Sequence, residues 1–346
     1  GLIKNPSGTA DGMVTVRKEQ SEYSTEVAIN GLTLHAGYRS LPMPLVLQRG
    51  TCTCSAGVLA FKDFAGKLGA SVLPELSLSF GIGDDDRFSA SARGAAIALD
   101  DLAAVLSSFD GTKAFIAPVT KAAGSALVQD AVVSGPLSSP GAWAFSLHGS
   151  VNNTSFSLPG LDAPVAVTSA GITLDQSRIS LSPVKLQFLD AALSGSLILE
   201  DYFSGVPKAA GDAAGSLGDT SIARAIAYLN LPHDLLLRGP LSLEKAKFTR
   251  QQAGAATFTA ELLFPEETRA SIDVQAQPGN FEVRSLNIRD KRSQCTASLG
   301  IRDDLFTVAY RGSLDKTTLD RVFADNRLVQ GWIKGDFTAV FNEKIP

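Results

Sequence analysis

The chain has 346 residues, enough to bury one large core or to form two ordinary domains. Charged residues make up only 19% against 45% hydrophobic, and the formal net charge is -4, with a pI near 5.5. That balance argues against a nucleic-acid partner, which calls for a basic face, and no apolar run reaches the ~18 residues of a membrane-spanning helix.

A local basic cluster, Arg284, Arg289, Lys291 and Arg292, is interleaved with Glu282 and Asp290 and reads as a solvated strand edge or turn. The chain opens GLIKNPSG, with neither a Met nor a signal-peptide pattern, and reads as a processed or excised piece of a longer protein.

In chain order, 12–19 and 23–34 read as two strands about a polar turn. Pro42 and Pro44 flank a crossing into LVLQRGTCTC. The next clean strand places Leu76, Leu78, Phe80 and Ile82 on one face, and Asp84, Asp85 and Asp86 make its turn. After a strand over 87–97, Leu99, Leu102, Val105, Leu106 and Phe109 fall at helical spacing, and Asp110-Gly111 stops that helix. Residues 119–133 read as a second amphipathic helix weakened by Gly124, or as loose coil. Alternation returns at Trp143, Phe145 and Leu147.

The stretch 170–199 is the clearest β signal. Ile172 and Leu174, Ile179 and Leu181, then Val184, Leu186 and Phe188 alternate with small or polar residues, and Leu193, Leu197 and Leu199 finish the unit. Ser182-Pro183 shifts the phase by one, which marks a bulge or turn. A helix over 217–229, ended by Pro232, and a shorter one within 313–323 interrupt the strands that fill the rest of the chain. Residues 92–109 and 310–323 resemble one another: a strand ending Arg-Gly, a Leu-Asp pair, a spaced Leu and a terminal Phe. Such recurrence favours a repeated sheet. The expected divisions are 1–133, 134–232 and 233–346, or one continuous sheet.

Catalytic patterns are sparse. His35, His148 and His233 stand apart in strand contexts, with no G-x-S-x-G or H-E-x-x-H. GIGDDD lacks the Lys-Ser/Thr of a phosphate loop, and its carboxylates lack further calcium ligands at loop spacing. Cys52, Cys54 and Cys295 form no disulfide framework and read as buried or half-buried thiols. The expectation is a non-enzyme with no metal or other cofactor.

The apolar face of the alternating strands carries more information. Two facing sheets would seal it as a sandwich core. One sheet curled into a U would leave it as a groove for acyl chains, each buried CH₂ worth about 0.8 kcal/mol. Periodicity does not separate the two. The groove candidates are Leu76, Leu78, Phe80, Ile82, Leu186, Phe188, Leu197, Leu235, Leu237, Phe258, Leu262, Phe306 and Val308.

LVLQRGTCTCSAGVLAFKDFAGKLGASVL resembles the recurring unit of the AsmA-like group of bacterial envelope proteins, which includes TamB and YhdP. The cadence returns in AGITLDQSRISLSPVKLQFLDAALSGSLIL, in LLLRGPLSLEKAKFTRQQAGAATFTAELLF and in GWIKGDFTAVF. The resemblance covers roughly 45–341 and is one of cadence. It implies a mainly β, elongated, curled antiparallel sheet with a few short helices. It further implies a periplasmic segment of a parent protein anchored in the inner membrane, conducting phospholipid between inner and outer membranes, with other envelope proteins as further partners. The alternatives are a structural or protein-interaction β-domain and a carbohydrate-active β-protein.

Overall fold

The computed structural model describes residues 3–19, 22–38, 42–55, 57–81, 87–108, 121–136, 138–139, 142–157, 161–202, 206–228, 236–251, 254–302, 305–326 and 330–342. Twenty strands and three short α-helices account for most of them. Every measured register is antiparallel and joins near neighbours in sequence. The chain divides into two compact units, Gly1–Pro159 with Val167–Gln176, and Gly160–Ala166 with Ser177–Pro346.

The first unit holds β1 (Ile3–Glu19), β2 (Glu22–Tyr38), β3 (Leu45–Gln48), β4 (Thr51–Ser55), β5 (Val58–Leu68), β6 (Ser71–Gly81), β7 (Arg87–Ala98), α1 (Leu99–Ser107), β8 (Lys121–Pro136), β9 (Ala144–Ser157) and β10 (Val165–Asp175). β3 and β4 lie end to end between β2 and β5, separated by Arg49 and Gly50, both at positive φ. From β5 the pairing runs neighbour to neighbour to β10.

The expected helix or coil over 119–133 is instead strand β8. Its edges pair with β7 and β9, and Val128, Val132 and Val133 suit that pleated surface. Gly124, at φ 108, sits at a register shift rather than in a helical turn.

The second unit holds β11 (Arg178–Phe188), β12 (Ala191–Glu200), β13 (Lys208–Leu217), α2 (Asp219–Tyr228), β14 (Leu241–Arg250), β15 (Ala256–Leu263), β16 (Arg269–Gln277), β17 (Asn280–Arg289), β18 (Gln294–Arg302), β19 (Leu305–Asp315), α3 (Lys316–Val322) and β20 (Trp332–Asn342). Its registers run in one series from β11 to β20. Among the described residues none joins β11 back to β20, so this sheet is not closed into a barrel. The series is a single sheet, not the facing pair that a sandwich requires. The Ser182-Pro183 step coincides with a register shift between Leu181 and Val184, as the alternation required.

Among the described residues an α-helix follows β7, β13 and β19, at intervals of six strands. Each junction is tied to a hairpin turn two strands back. Asp101 of α1 accepts from the amides of Ala70 and Ser71, at 2.7 and 2.8 Å, in the β5–β6 turn. Asp190, in the β11–β12 turn, accepts from the amides of Thr220 and Ser221 in the first turn of α2, at 2.9 and 2.8 Å. Asp290, in the β17–β18 turn, accepts the Thr318 hydroxyl of α3 at 2.8 Å.

Candidate functional site: an apolar sheet face sealed at one end

In the second unit, directly opposed residues trace rows across the sheet, because cross-strand partners share a face. One row reads Leu186, Leu193, Gly215, Leu243, Leu262, Ala270, Ile288, Cys295, Gly312 and Gly335. Four residues further from the helices on most strands, a parallel row reads Leu181, Leu197, Gly211, Phe248, Phe258, Val274, Val283, Leu299, Val308 and Ala339. The opposite face is largely polar: Lys245, Glu261, Ser271, Asn287, Thr296, Arg311 and Asp336 stand in one of its rows. Asn287 there bonds both Ser271, at 3.2 Å, and Thr296, at 2.7 Å.

The helices cover one end of the apolar face. Ile222 of α2 and Leu319 and Val322 of α3 form a single buried cluster with Leu241, Phe264, Ile288, Cys295, Tyr310 and Leu314. Burial next to Cys295 pushes the Tyr310 hydroxyl up to about 12, and that hydroxyl donates to the carbonyl of Ile333 at 3.1 Å. Beneath α3 the Asp290 carboxylate is 1% exposed. Desolvation would raise it, yet the amides of Arg292 and Ser293 and the hydroxyls of Thr318 and Thr268 hold it below the usual carboxylate range. A buried charge so fully bonded locks the turn to the helix.

The chain following α2 and the chain following α3 also pair with each other. The Arg238 amide donates to Val322 O and the Ala324 amide to Leu236 O, both at 2.8 Å, around a bridge between Leu237 and Phe323. These segments lead into β14 and β20, so the strands six places apart in the sheet are tied to each other through the cap over the helical end of the apolar face.

Away from the helices the same face is open. Phe248, Phe258, Phe281 and Phe341 are 38%, 41%, 40% and 59% exposed, whereas Ile288 and Leu241 at the covered end are 4% and 2% exposed. In the first unit Phe64, Ala95, Leu99 and Val128 are buried, and α1 contacts β7 and β8. An aromatic series, Phe61–Phe80–Phe88–Trp143, crosses the strands at centroid spacings of 6.2, 6.4 and 4.6 Å. Beside it lies a hollow of about 210 Å³ lined by Ala90, Ala92, Ala131, Val133, Phe145 and Leu174, among others.

Most of the residues expected to line a groove fall on these faces. Leu76, Leu78 and Phe80 are half-buried on β6 of the first unit, opposite Ala92, Ala90 and Phe88. Leu197, Phe258 and Val308 share one row of the second unit, and Phe306 lies in the next row outward. Leu186 and Leu262 lie in a row nearer the helices, and Phe188 lies at the end of β11 beyond it. Leu237 belongs to the cap over the covered end. Ile82 and Leu235, with Phe109 and the turn at Asp84, Asp85 and Asp86, lie outside the described residues. The three cysteines are free thiols, Cys52 and Cys295 buried and Cys54 half-buried. Among the described residues no three His, Cys, Asp or Glu side chains are grouped to hold a metal, and no helix is long and apolar enough to cross a membrane.

Phe248, Phe281, Phe341 and Arg250 belong to the open end but were not among the expected positions. The symmetry of Phe248 and Phe258 about the β14–β15 turn was a usable signal for the first of them. Comparison with protein-family models, curated proteins and solved structures finds no match to this chain.

Proposed function

We propose that the apolar face binds the acyl chains of phospholipid, and that the chain is a non-catalytic segment of a lipid conduit in a bacterial envelope, on the AsmA-like pattern its cadence resembles. The observation that carries this reading is the exposed aromatic end of a face that is apolar across ten strands and that helices seal only at the other end. A face serving purely as core has no use for four phenylalanines left more than a third exposed, since each forfeits burial worth on the order of 1 kcal/mol or more. Acyl chains recover that burial without bringing hydrogen-bonding groups that the face cannot satisfy. On this reading the protein acts in the periplasm, the parent chain is anchored in the inner membrane, and other envelope proteins extend the path.

The test is native mass spectrometry of the purified chain, followed by lipid extraction. Phospholipid at defined stoichiometry is the expected result, with loss of lipid in Leu197→Asp and Phe258→Asp variants that keep the wild-type circular dichroism. Absence of bound lipid after incubation with phospholipid vesicles overturns the reading.

A further inference from the structure

Resting on the acyl-chain reading, we infer that Arg250 anchors the anionic headgroup of the bound lipid. Along β11–β20, every position on the apolar face is aliphatic, aromatic, Gly or Cys except Arg250. The register sets its face: Gly211, Phe248 and Phe258 are opposed in a row, and two residues on, Ala209, Arg250 and Ala256 are opposed in turn. Arg250 is the last residue of β14, in the outermost row of the open end, and it is exposed. Its neighbours in the row, Ala209 and Ala256, are both small.

Among the described residues no carboxylate pairs with it and its side chain makes no hydrogen bond. Most other cations of this unit's strands lie on the opposite face, several of them paired there: Arg269 bonds Glu244 at 2.7 Å, and Arg311 lies 3.4 Å from Asp336. An unpaired guanidinium at the rim of an apolar lane complements an amphiphile whose tail lies in the lane and whose charge is held at the mouth. Its planar fork suits the oxygens of a phosphate monoester or diester. Phosphate chemistry thus sets the substrate class as an anionic phospholipid, with its tail running over Phe248 and Phe258 toward the covered end.

The experiment measures binding of fluorescent dioleoylphosphatidic acid and of dioleoylglycerol, each in dodecyl maltoside micelles, to the full chain and to Arg250→Ala and Arg250→Lys. The expected result is that wild type prefers the phosphatidic acid by about tenfold, equivalent to about 1.4 kcal/mol. Arg250→Ala should lose the preference, keep diacylglycerol binding within about twofold and melt at the wild-type temperature, while Arg250→Lys retains part of it. Raising the salt should shrink the wild-type preference, because an exposed charge is screened.

If Arg250→Ala binds both lipids as wild type does, the headgroup assignment falls and the acyl-chain reading stands. If wild type binds neither lipid, the acyl-chain reading falls and takes this assignment with it. If inorganic phosphate alone competes fully with phosphatidic acid at millimolar concentration, the site takes free phosphate and the lipid assignment is overturned.

Discussion

The backbone amide of Asp315 donates to the hydroxyl of Ser293 at 2.9 Å, which fastens the residue preceding α3 to the turn between β17 and β18. Ser293 is 3% exposed, and its hydroxyl also lies 2.6 Å from that of Thr318, itself fully buried. The first unit repeats the device: the amide of Ala98, just before α1, donates at 3.0 Å to Ser71, another buried serine in the β5–β6 turn. Ser293→Ala removes the acceptor of the half-buried Asp315 amide and one of the two partners of the buried Thr318 hydroxyl, which keeps its bond to Asp290. It should therefore destabilise the second unit by roughly 1–3 kcal/mol. Urea unfolding monitored by circular dichroism checks this, and Ser71→Ala should behave alike in the first unit.

Asp190 supplies a pH-dependent counterpart. Desolvation would raise its pKa, but the amides and hydroxyls of Thr220 and Ser221 lower it from the ordinary carboxylate range to about 2. A carboxyl whose pKa is depressed by folding contributes stability above its unfolded pKa and loses it as the pH falls through the folded value. The contribution of Asp190 should therefore be intact above about pH 4 and fade towards pH 2. Thermal melts of wild type and Asp190→Asn should differ most near neutral pH and converge at the acid end, where both carry an uncharged group in the turn. A constant difference across that window would show that the carboxylate does not hold α2.

The two ends of the apolar face should respond differently to the same charge. Ile288→Asp places an unpaired carboxylate in the cluster beneath the helices and should unfold the second unit, because burying such a charge costs several kcal/mol. Phe258→Asp, at a position already 41% exposed, should leave a folded chain with its melting temperature lowered by only a few degrees and its lipid binding lost. Melting curves and lipid binding, measured on both variants, separate a covered end from an open one.

Much of the strand pattern was legible because alternation over 170–199 and the later runs maps directly onto one wet and one dry face. The Ser182-Pro183 phase slip was legible for the same reason. Strand β8 was not, since Ala, Gly and Val in KAAGSALVQDAVV fit a weak helix until β7 and β9 supply partners for both edges.

Arg250 and Phe248 were hidden by a bulge. Counting by twos from Leu241 and Leu243 turns Lys245, Lys247 and Thr249 inward. The register shift between Leu243 and Lys245 instead gives the face to Ala246, Phe248 and Arg250. Nor does period-2 reasoning indicate which end of a sheet the helices cover. That depends on contacts such as Asp290 with Thr318, which join residues from turns and helices distant in sequence.

The spacing of the helices has a consequence for how such a chain can lengthen. In a meander each strand reverses the direction of the one before, so β13 and β19, six apart, run the same way and deliver α2 and α3 to the same end of the sheet. An insertion of five or seven strands would bring the next helix down on the exposed aromatic end and cover it. An insertion of an even number, carrying its own turn aspartate and helix, extends the apolar face with that end still uncovered. Parity in strand number thus lets the sheet grow in modules that all keep their helices at the same end.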